Sequence, residues 1–496
     1  MAGIAGCFGS RDEKTINRML DALAHQGPND RRIHSTDRMV WGHTRLAIAD
    51  EGSNHQPILN KDRSKGVIAS GAIYNFQTIR ERLDESYPFQ THSGAEVILA
   101  LYDQRGPDGV RDLDGIFAFA LFDTERDTFM LARDPLGIKP LYYGYCAGTI
   151  YFASERTALS LAGVEEVYEF PPGHYYTPTD GFIRYYRLPK VDKRPLLNAP
   201  SIALRIRNIL TRSVKKRVTS AVPQGAVGAL CSGDFSSSIV VALAAREIPH
   251  LHTFAVGMRD EEGNESAELS AARRLAAHVG TRHHELVVSQ EMYGEALHRV
   301  IHLQESYDPD VIRPALSCYL LSKLAADHVG VVLTGEGADE LFGGHHYMKG
   351  FSVAKVNEEC RRSLGAIRQV NLQSLGQLAR YFDLEMRYPF MDKEMISLSM
   401  KISAALKIKE LDDGVKISKW IFRHAFADSA LLPEEILQQH MAPPPPQKAG
   451  WHSFCAARAE REITDVELSR LRCDNPGAEI ASKEAALYFK ILRQGQ

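Results

Sequence analysis

Two short stretches concentrate the residue types that handle phosphate and metal. The first, GALCSGDFSSSIVVALAA at 228–245, passes from the apolar run AVGAL into Ser232, Gly233 and Asp234. Ser236, Ser237 and Ser238 follow, ahead of a helical run from Ile239. Small residues let a backbone approach a phosphate, and the amides of a helix N-terminus favour an anion. A serine-rich helix start capped by Asp234 accounts for the same pattern. The second, VVLTGEGADELFGGHHY, sets Thr334, Gly335, Glu336, Gly337, Ala338 and Asp339 directly after a strand-like run. Its glycines allow close backbone approach, and its paired acids suit Mg2+ or proton transfer; an acid-rich turn is the plain alternative. In an open α/β sheet, loops that follow strands open on one crevice. There Ser232, Gly233, Ser236, Ser237, Ser238, Thr334 and Gly335 are the candidate nucleotide contacts, with Asp339 and Asp234 as candidate metal ligands.

The elements that must position these residues follow from the hydrophobic pattern. Residues 1 to about 186 carry short β-favouring runs such as RMVWGHTRLAIAD, GVIASGAIYNF and GIFAFALFDTERDTFMLARD, which predict layered antiparallel sheets. THSGAEVILALYDQRG has a helical period instead. The polar, proline-bearing stretch 187–201 reads as a linker. From 202 to 496 apolar strands (AVGAL, LHTFAVGM, HHELVV, VVLTG) alternate with helices, the signature of a parallel sheet. The last third is mostly helical, and the run APPPPQKAG at 442–450 reads as a stiff, extended loop.

Composition narrows the class. The chain has 496 residues, and single cores stop growing near ~250–300 residues, so two domains are expected. A net charge of −3 supplies no basic field for nucleic acid or membranes. The seven cysteines contain no CxxC pair, so they carry no zinc signature and no disulfide framework. The start MAGIAGCFGSRDEK lacks the features of a signal peptide, and no apolar run is long enough to span a membrane. A cytoplasmic protein is expected.

The order of motifs along nearly the whole chain resembles glutamine-dependent asparagine synthetase. MAGIAGCFG, HQGPND, GAIYN and ARDPLGIKPLYYG are similar to its glutaminase half. SYDPDVIRP, LTGEGADELFGG, LEMRYPFMD and SKEAALYF are similar to its synthetase half. The resemblance implies an N-terminal nucleophile glutaminase, a four-layer αββα sandwich, joined to an ATP-pyrophosphatase α/β domain with a helical C-terminal part. It implies ATP and Mg2+ as cofactors, and an acyl-adenylate attacked by ammonia. It also implies Glu336, Asp339 and Arg313 as catalytic positions, with Leu230 and Val256 near adenine and ribose.

The departures from that pattern are specific. Ala2 stands where the family has its nucleophilic cysteine; Cys7 sits within the first expected strand and reads as a core thiol. Ser70 and Ala72 replace residues of the family's NGEIYN, Gly94 replaces the aspartate that binds the glutamine amine, and Gln26 and Asn29 alter HRGPD, while Arg45 persists. The expectation is a folded domain without glutaminase activity. In the second half, Asp234 and Ser236 stand where SGGLDSS has a glycine and the aspartate, and Met441 aligns with a catalytic lysine, Lys448 lying seven residues on. The pair before EARVPF is altered near Gly376 and Gln377, whereas Asp308, Glu385 and Arg387 remain. Asp234 either takes over metal binding or repels the phosphates.

Three readings follow. The chain is an AMP-forming amide ligase that joins a small carboxylate to ammonia or another amine without glutamine. Alternatively it is a catalytically silent homologue that pairs with itself or with an active paralogue, as a homodimer or heteromer. An ordinary glutamine-using asparagine synthetase is the reading the departures disfavour.

Overall fold

Alternating apolar residues build the strands of the first third, and the computed structural model of the chain arranges them in two six-stranded sheets. The structure describes residues 2–27, 30–45, 55–220, 227–259, 265–427, 430–438 and 451–494. Pro28 and Asn29, the segment 46–54, Met441, Lys448 and the proline run 442–450 lie outside them. The chain divides into two units, Met1–Lys190 with Lys216–Ala226, and Val191–Lys215 with Val227–Gln496.

The first unit runs β1 (Ala2–Phe8), α1 (Glu13–Ala22), β2 (Asp30–Ser35), β3 (Met39–Arg45), β4 (Ile58–Leu59), β5 (Lys65–Ile73), α2 (Phe76–Leu83) and α3 (Glu96–Arg105). It continues through β6 (Gly115–Asp123), β7 (Thr128–Arg133), β8 (Tyr142–Cys146), β9 (Thr149–Ala153), α4 (Arg156–Ser160), β10 (Tyr168–Glu169), β11 (His174–Thr177) and β12 (Gly181–Arg184). One sheet has the order β10-β8-β9-β1-β3-β2 and the other β12-β11-β7-β6-β5-β4. The period of two along β6 sorts its side chains between two cores. Ala118, Ala120 and Phe122 face the other sheet, meeting Ile4, Met39 and Trp41. Phe117, Phe119 and Leu121 face α2 and α3, meeting Ile79, Leu83, Val97 and Leu101. A third core packs Ile16, Met19 and Leu20 of α1 and Leu159 of α4 on Ala5, Val40 and Tyr151. Helix, sheet, sheet and helix are therefore stacked in four layers, as expected. Each fully buried Leu, Ile, Val, Met or Phe among these is worth about 1.5–3 kcal/mol.

The second unit contains most of α5 (Ala199–Thr219), then β13 (Val227–Leu230), α6 (Phe235–Ala245), β14 (His252–Met258), α7 (Ala267–Val279), β15 (Arg282–Val288), α8 (Gln290–Gln304), α9 (Pro309–Ala326), β16 (Val331–Leu333) and α10 (Ala338–Phe342). Helix α5 begins inside the stretch read as a linker. Next come α11 (Val353–Ile367), a π-helical turn (Arg368–Leu372), α12 (Gln373–Arg380), β17 (Glu385–Arg387), α13 (Lys393–Ser399), α14 (Ala404–Lys407), the short pair β18 (Lys409–Glu410) and β19 (Lys416–Ile417), and α15 (Trp420–Phe426). Helices α16 (Glu434–Gln438), α17 (Trp451–Glu462), α18 (Asp465–Asp474) and α19 (Lys483–Gln494) complete the described chain. The sheet order is β15-β14-β13-β16-β17, with every neighbouring pair parallel. From β13 the chain winds outward to β15, then returns to build β16 and β17 on the other side. The reversal falls between β13 and β16, the switch point at which such sheets hold ligands.

One boundary differs from expectation. Helix α6 starts at Phe235, not Ile239, because Asp234 accepts hydrogen bonds from the Ser236 and Ser237 amides and caps it there. The three serines thus occupy its first turn. Among the described residues, no helix is long and apolar enough to cross a membrane.

Candidate functional site

The loop after β13 is closed on itself by Asp234. Its Oδ1 accepts from the Ser236 amide at 2.6 Å and the Ser237 amide at 2.9 Å. Its Oδ2 accepts from the Ser232 hydroxyl at 2.6 Å, and that hydroxyl lies 2.8 Å from Ser237 Oγ. Free amides at a helix start are the groups that bind a phosphate; here a carboxylate of the same loop satisfies two of them. Gly233 has a φ of +74°, and a Cβ there would lie 2.6 Å from Ala271 Cβ and 2.9 Å from the Glu268 carbonyl oxygen. The turn that aims Asp234 at the amides therefore admits only glycine at 233.

The acidic loop after β16 touches this one backbone to backbone. A Cβ on Gly335 would lie 2.7 Å from the Ser237 nitrogen, so the missing side chain is what lets the loops meet. Thr334 Oγ1 accepts from the Glu336 amide at 3.2 Å. Burial, followed by the charges of Glu340 and Asp339, pushes the Glu336 carboxyl up to about 7. Its Oε2 accepts from Asn371 Nδ2 at 2.5 Å, and Asn371 reaches it from the π-helical turn, a feature common at functional sites. Among the described residues, no three carboxylates converge within one metal-ligating group.

Two cations complete the cluster. Lys419, in left-handed conformation at the head of α15, donates to Ser236 Oγ at 3.0 Å and pairs with Asp339 Oδ1 at 2.8 Å. One turn on, the Arg423 guanidinium lies 4.6 Å over the Phe235 ring. Its buried Nε and Nη1 have no hydrogen-bond partner among the described residues. Burial lowers its pKa to about 10, against the opposing pull of Asp234 and Asp339. A buried guanidinium with idle donors beside a phosphate-type loop is poised for an anion.

The remaining candidates lie as follows. Leu230 ends β13, Val256 is buried in β14, and the buried Ser238 hydroxyl has no hydrogen-bond partner among the described residues. Arg313 is held by Glu484 of α19 at 2.9 and 2.6 Å, with Asp310 at 3.3 Å. Its described contacts tie helices together and do not include the acidic loop. Asp308 caps α9, and Glu385 and Arg387 pair within β17 at 2.8 Å. The cationic role expected near Met441 or Lys448 falls outside the described residues. Lys419, Arg423 and Asn371 were not legible beforehand.

In the first unit, Ala2 pairs with Arg45 across β1 and β3. Ser70 and Ala72 lie on β5 opposite Ala118 and Ile116. A Cβ on Gly94 would lie 3.2 Å from the Phe76 ring, so that ring fills the space beside the position where the resemblance calls for aspartate. Glu96 is buried and accepts from the Gln90 amide at 2.6 Å, the Thr91 amide at 2.7 Å and the Thr91 hydroxyl at 2.6 Å. It fixes the loop rather than presenting a charge. Cys7 is buried, its thiol pushed up to about 11; a thiol held protonated is a poor nucleophile. His43 is buried and, for want of solvation, held down to about 3.

Residues 1–181 match the glutamine amidotransferase domain family, and residues 205–377 and 352–466 match asparagine synthase. Asparagine synthetase [glutamine-hydrolyzing] 2 of Arabidopsis thaliana is 34% identical over all of this chain and 87% of its own length. Asparagine synthetase B [glutamine-hydrolyzing] of Escherichia coli (strain K12) is 35% identical over all of this chain and 91% of its own length.

Proposed function

This chain belongs to the asparagine synthetase family, and from that premise we propose that it is an ATP-dependent, AMP-forming amide ligase that does not draw its nitrogen from glutamine. The observation that carries the reading is the Lys419 ammonium shared by both loops, on Ser236 Oγ at 3.0 Å and Asp339 Oδ1 at 2.8 Å. A cation at that junction, backed by Arg423, is what a polyphosphate needs. ATP, when bound, would transfer its AMP portion to a carboxylate oxygen, the α–β phosphoanhydride bond breaking and pyrophosphate leaving, and so would open the carbonyl carbon to an amine. The fit has one condition. Phosphate can use the Ser236 and Ser237 amides only after Asp234 releases them. Mg2+ would rest on Asp339 with oxygens of the nucleotide completing its shell.

The chain's own residues then do three things. Lys419 and Arg423 offset negative charge. Asn371 holds one oxygen of Glu336. The other oxygen, on a carboxyl with a pKa of about 7, takes a proton from the incoming nitrogen as the C–N bond forms and AMP leaves. The nitrogen source is ammonia or another amine, because Ala2, Ser70, Ala72 and Gly94 leave no thiolate, oxyanion donor or amine clamp at the positions that the resemblance assigns. The substrate is a small carboxylate.

A second reading is favoured by Asp234 itself. A carboxylate fixed on two amides excludes phosphate by like-charge repulsion, and a chain so closed acts as a silent partner, pairing with itself or with an active paralogue. ATP–pyrophosphate exchange across a panel of carboxylates, with ammonia present, tests the proposal. Exchange dependent on one acid, without glutamate release from glutamine, supports the ligase. No exchange with any acid, in the parent and in Asp234→Gly alike, supports the silent partner; glutamate release overturns the loss of glutamine use.

A further inference from the structure

The opposite end of the parallel sheet carries three histidines that the proposed function does not use. His252 opens β14, His284 is the third residue of β15, and His328 lies in the turn between α9 and β16. One ring nitrogen from each falls in a group whose members all lie within 4.8 Å of one another, the only such metal-ligating trio among the described residues. His252 Nδ1 and His284 Nε2 are 3.0 Å apart. The His284 and His328 rings stack at 3.9 Å. Phe254 lies 5.2 Å from His284 and 5.9 Å from His328, walling one side.

We propose that His252, His284 and His328 form a binding site for a divalent transition-metal ion, of the zinc, nickel or copper class. Four-coordinate ions with imidazole at about 2.0–2.1 Å need donor nitrogens about 3.3 Å apart. The His252–His284 pair already has close to that separation. His328 is exposed on a turn, so a rotation of its side chain brings in the third nitrogen. Imidazole selects these ions, whereas Mg2+ takes oxygen; the site is chemically distinct from the nucleotide crevice at the carboxyl ends of the strands.

A further observation agrees. Among the described residues, the shared His252–His284 contact is the only side-chain hydrogen bond any of the three makes, so binding sacrifices little. With three protein nitrogens, a fourth position stays open to water or a small ligand. The ion would link β14, β15 and the α9–β16 turn, three segments separate in sequence. Its expected effect is on stability.

The full-length chain, stripped with a chelator, would be titrated with Co2+ and followed by visible absorption, with Zn2+ competition and thermal melting in parallel. One Co2+ per chain with tetrahedral bands, displaced by Zn2+, and a melting point raised by Zn2+ are expected. His328→Ala, on an exposed turn that leaves the fold intact, should weaken binding by about 100-fold, at least what an outer-shell partner is worth. It should also abolish the thermal shift, and His284→Gln should do the same. No stoichiometric binding by the parent, or equal binding by parent and both variants (an adventitious ion only), overturns the site.

Discussion

The Lys419 ammonium lies 2.8 Å from Asp339 Oδ1 and reaches Ser236 Oγ at 3.0 Å, so one side chain joins the two loops that follow β13 and β16. Lys419→Met removes the cation, leaves Asp339 without it and should cut ATP–pyrophosphate exchange by about 100-fold or more, on the scale of losing one charge-stabilising donor. Folding should also lose about 1–3 kcal/mol by denaturant titration. An unchanged exchange rate would show that the ammonium is only a strut.

Glu336 gives a pH signature. Its folded pKa is raised from 4.5 to about 7, by burial first and by Glu340 and Asp339 next. The folded state therefore holds this proton more tightly than the unfolded chain. Stability falls as pH rises from 4.5 toward 7 and levels off above. Glu336→Gln relieves that cost, and should be more stable than the parent at pH 8 by about 2 kcal/mol after discounting for partial exposure. The gap should close as pH approaches 4.5. Melting curves across this window check it, and a constant gap would contradict it.

The first unit should release no glutamate from glutamine, and Ala2→Cys alone should not restore release, because Ser70, Ala72 and Gly94 remain. Alkylation followed by peptide mass spectrometry should modify the exposed Cys473 first and leave Cys7 intact under native conditions, since burial holds its thiol up to about 11. Rapid labelling of Cys7, or glutamate above a no-enzyme control, would reverse this reading.

Arg313 and Glu484 test a structural tie. Glu484 accepts from Arg313 at 2.6 and 2.9 Å and from the Tyr488 hydroxyl at 2.7 Å. Arg313→Met leaves a buried carboxylate behind and should cost about 3–5 kcal/mol. The double variant with Glu484→Gln should recover part of that, and no recovery would mean that the two are not coupled.

What the sequence disclosed and what it hid have physical reasons. The alternation in GIFAFALFD assigned β6 to two cores at once, because side chains in a strand must point to opposite faces. The two loops could be located because each follows an apolar strand. Lys419 and Arg423 could not: they lie 183 residues or more from Ser236, and a Lys–Arg pair four apart is ordinary on any helix. Asn371 gave no signal, since a π turn has none. For Asp234 the sequence left metal ligand, obstruction and helix cap open. The structure shows the cap, and it falls on the amides that a phosphate at this helix start would use. Arg313 sat in a motif that suggested chemistry, but its partner Glu484 is 171 residues away.

Calorimetric titration of MgATP into the parent and into Asp234→Gly tests whether the Asp234 carboxylate holds the amides that a polyphosphate would use. Glycine is a tolerable cap, costing only a few tenths of a kcal/mol relative to a good one, so the variant should fold. Binding in the variant should be at least about tenfold tighter, the ~1.4 kcal/mol expected from removing a like charge. Weaker binding in Asp234→Gly than in the parent would mean that the carboxylate serves the ligand, and would contradict this expectation.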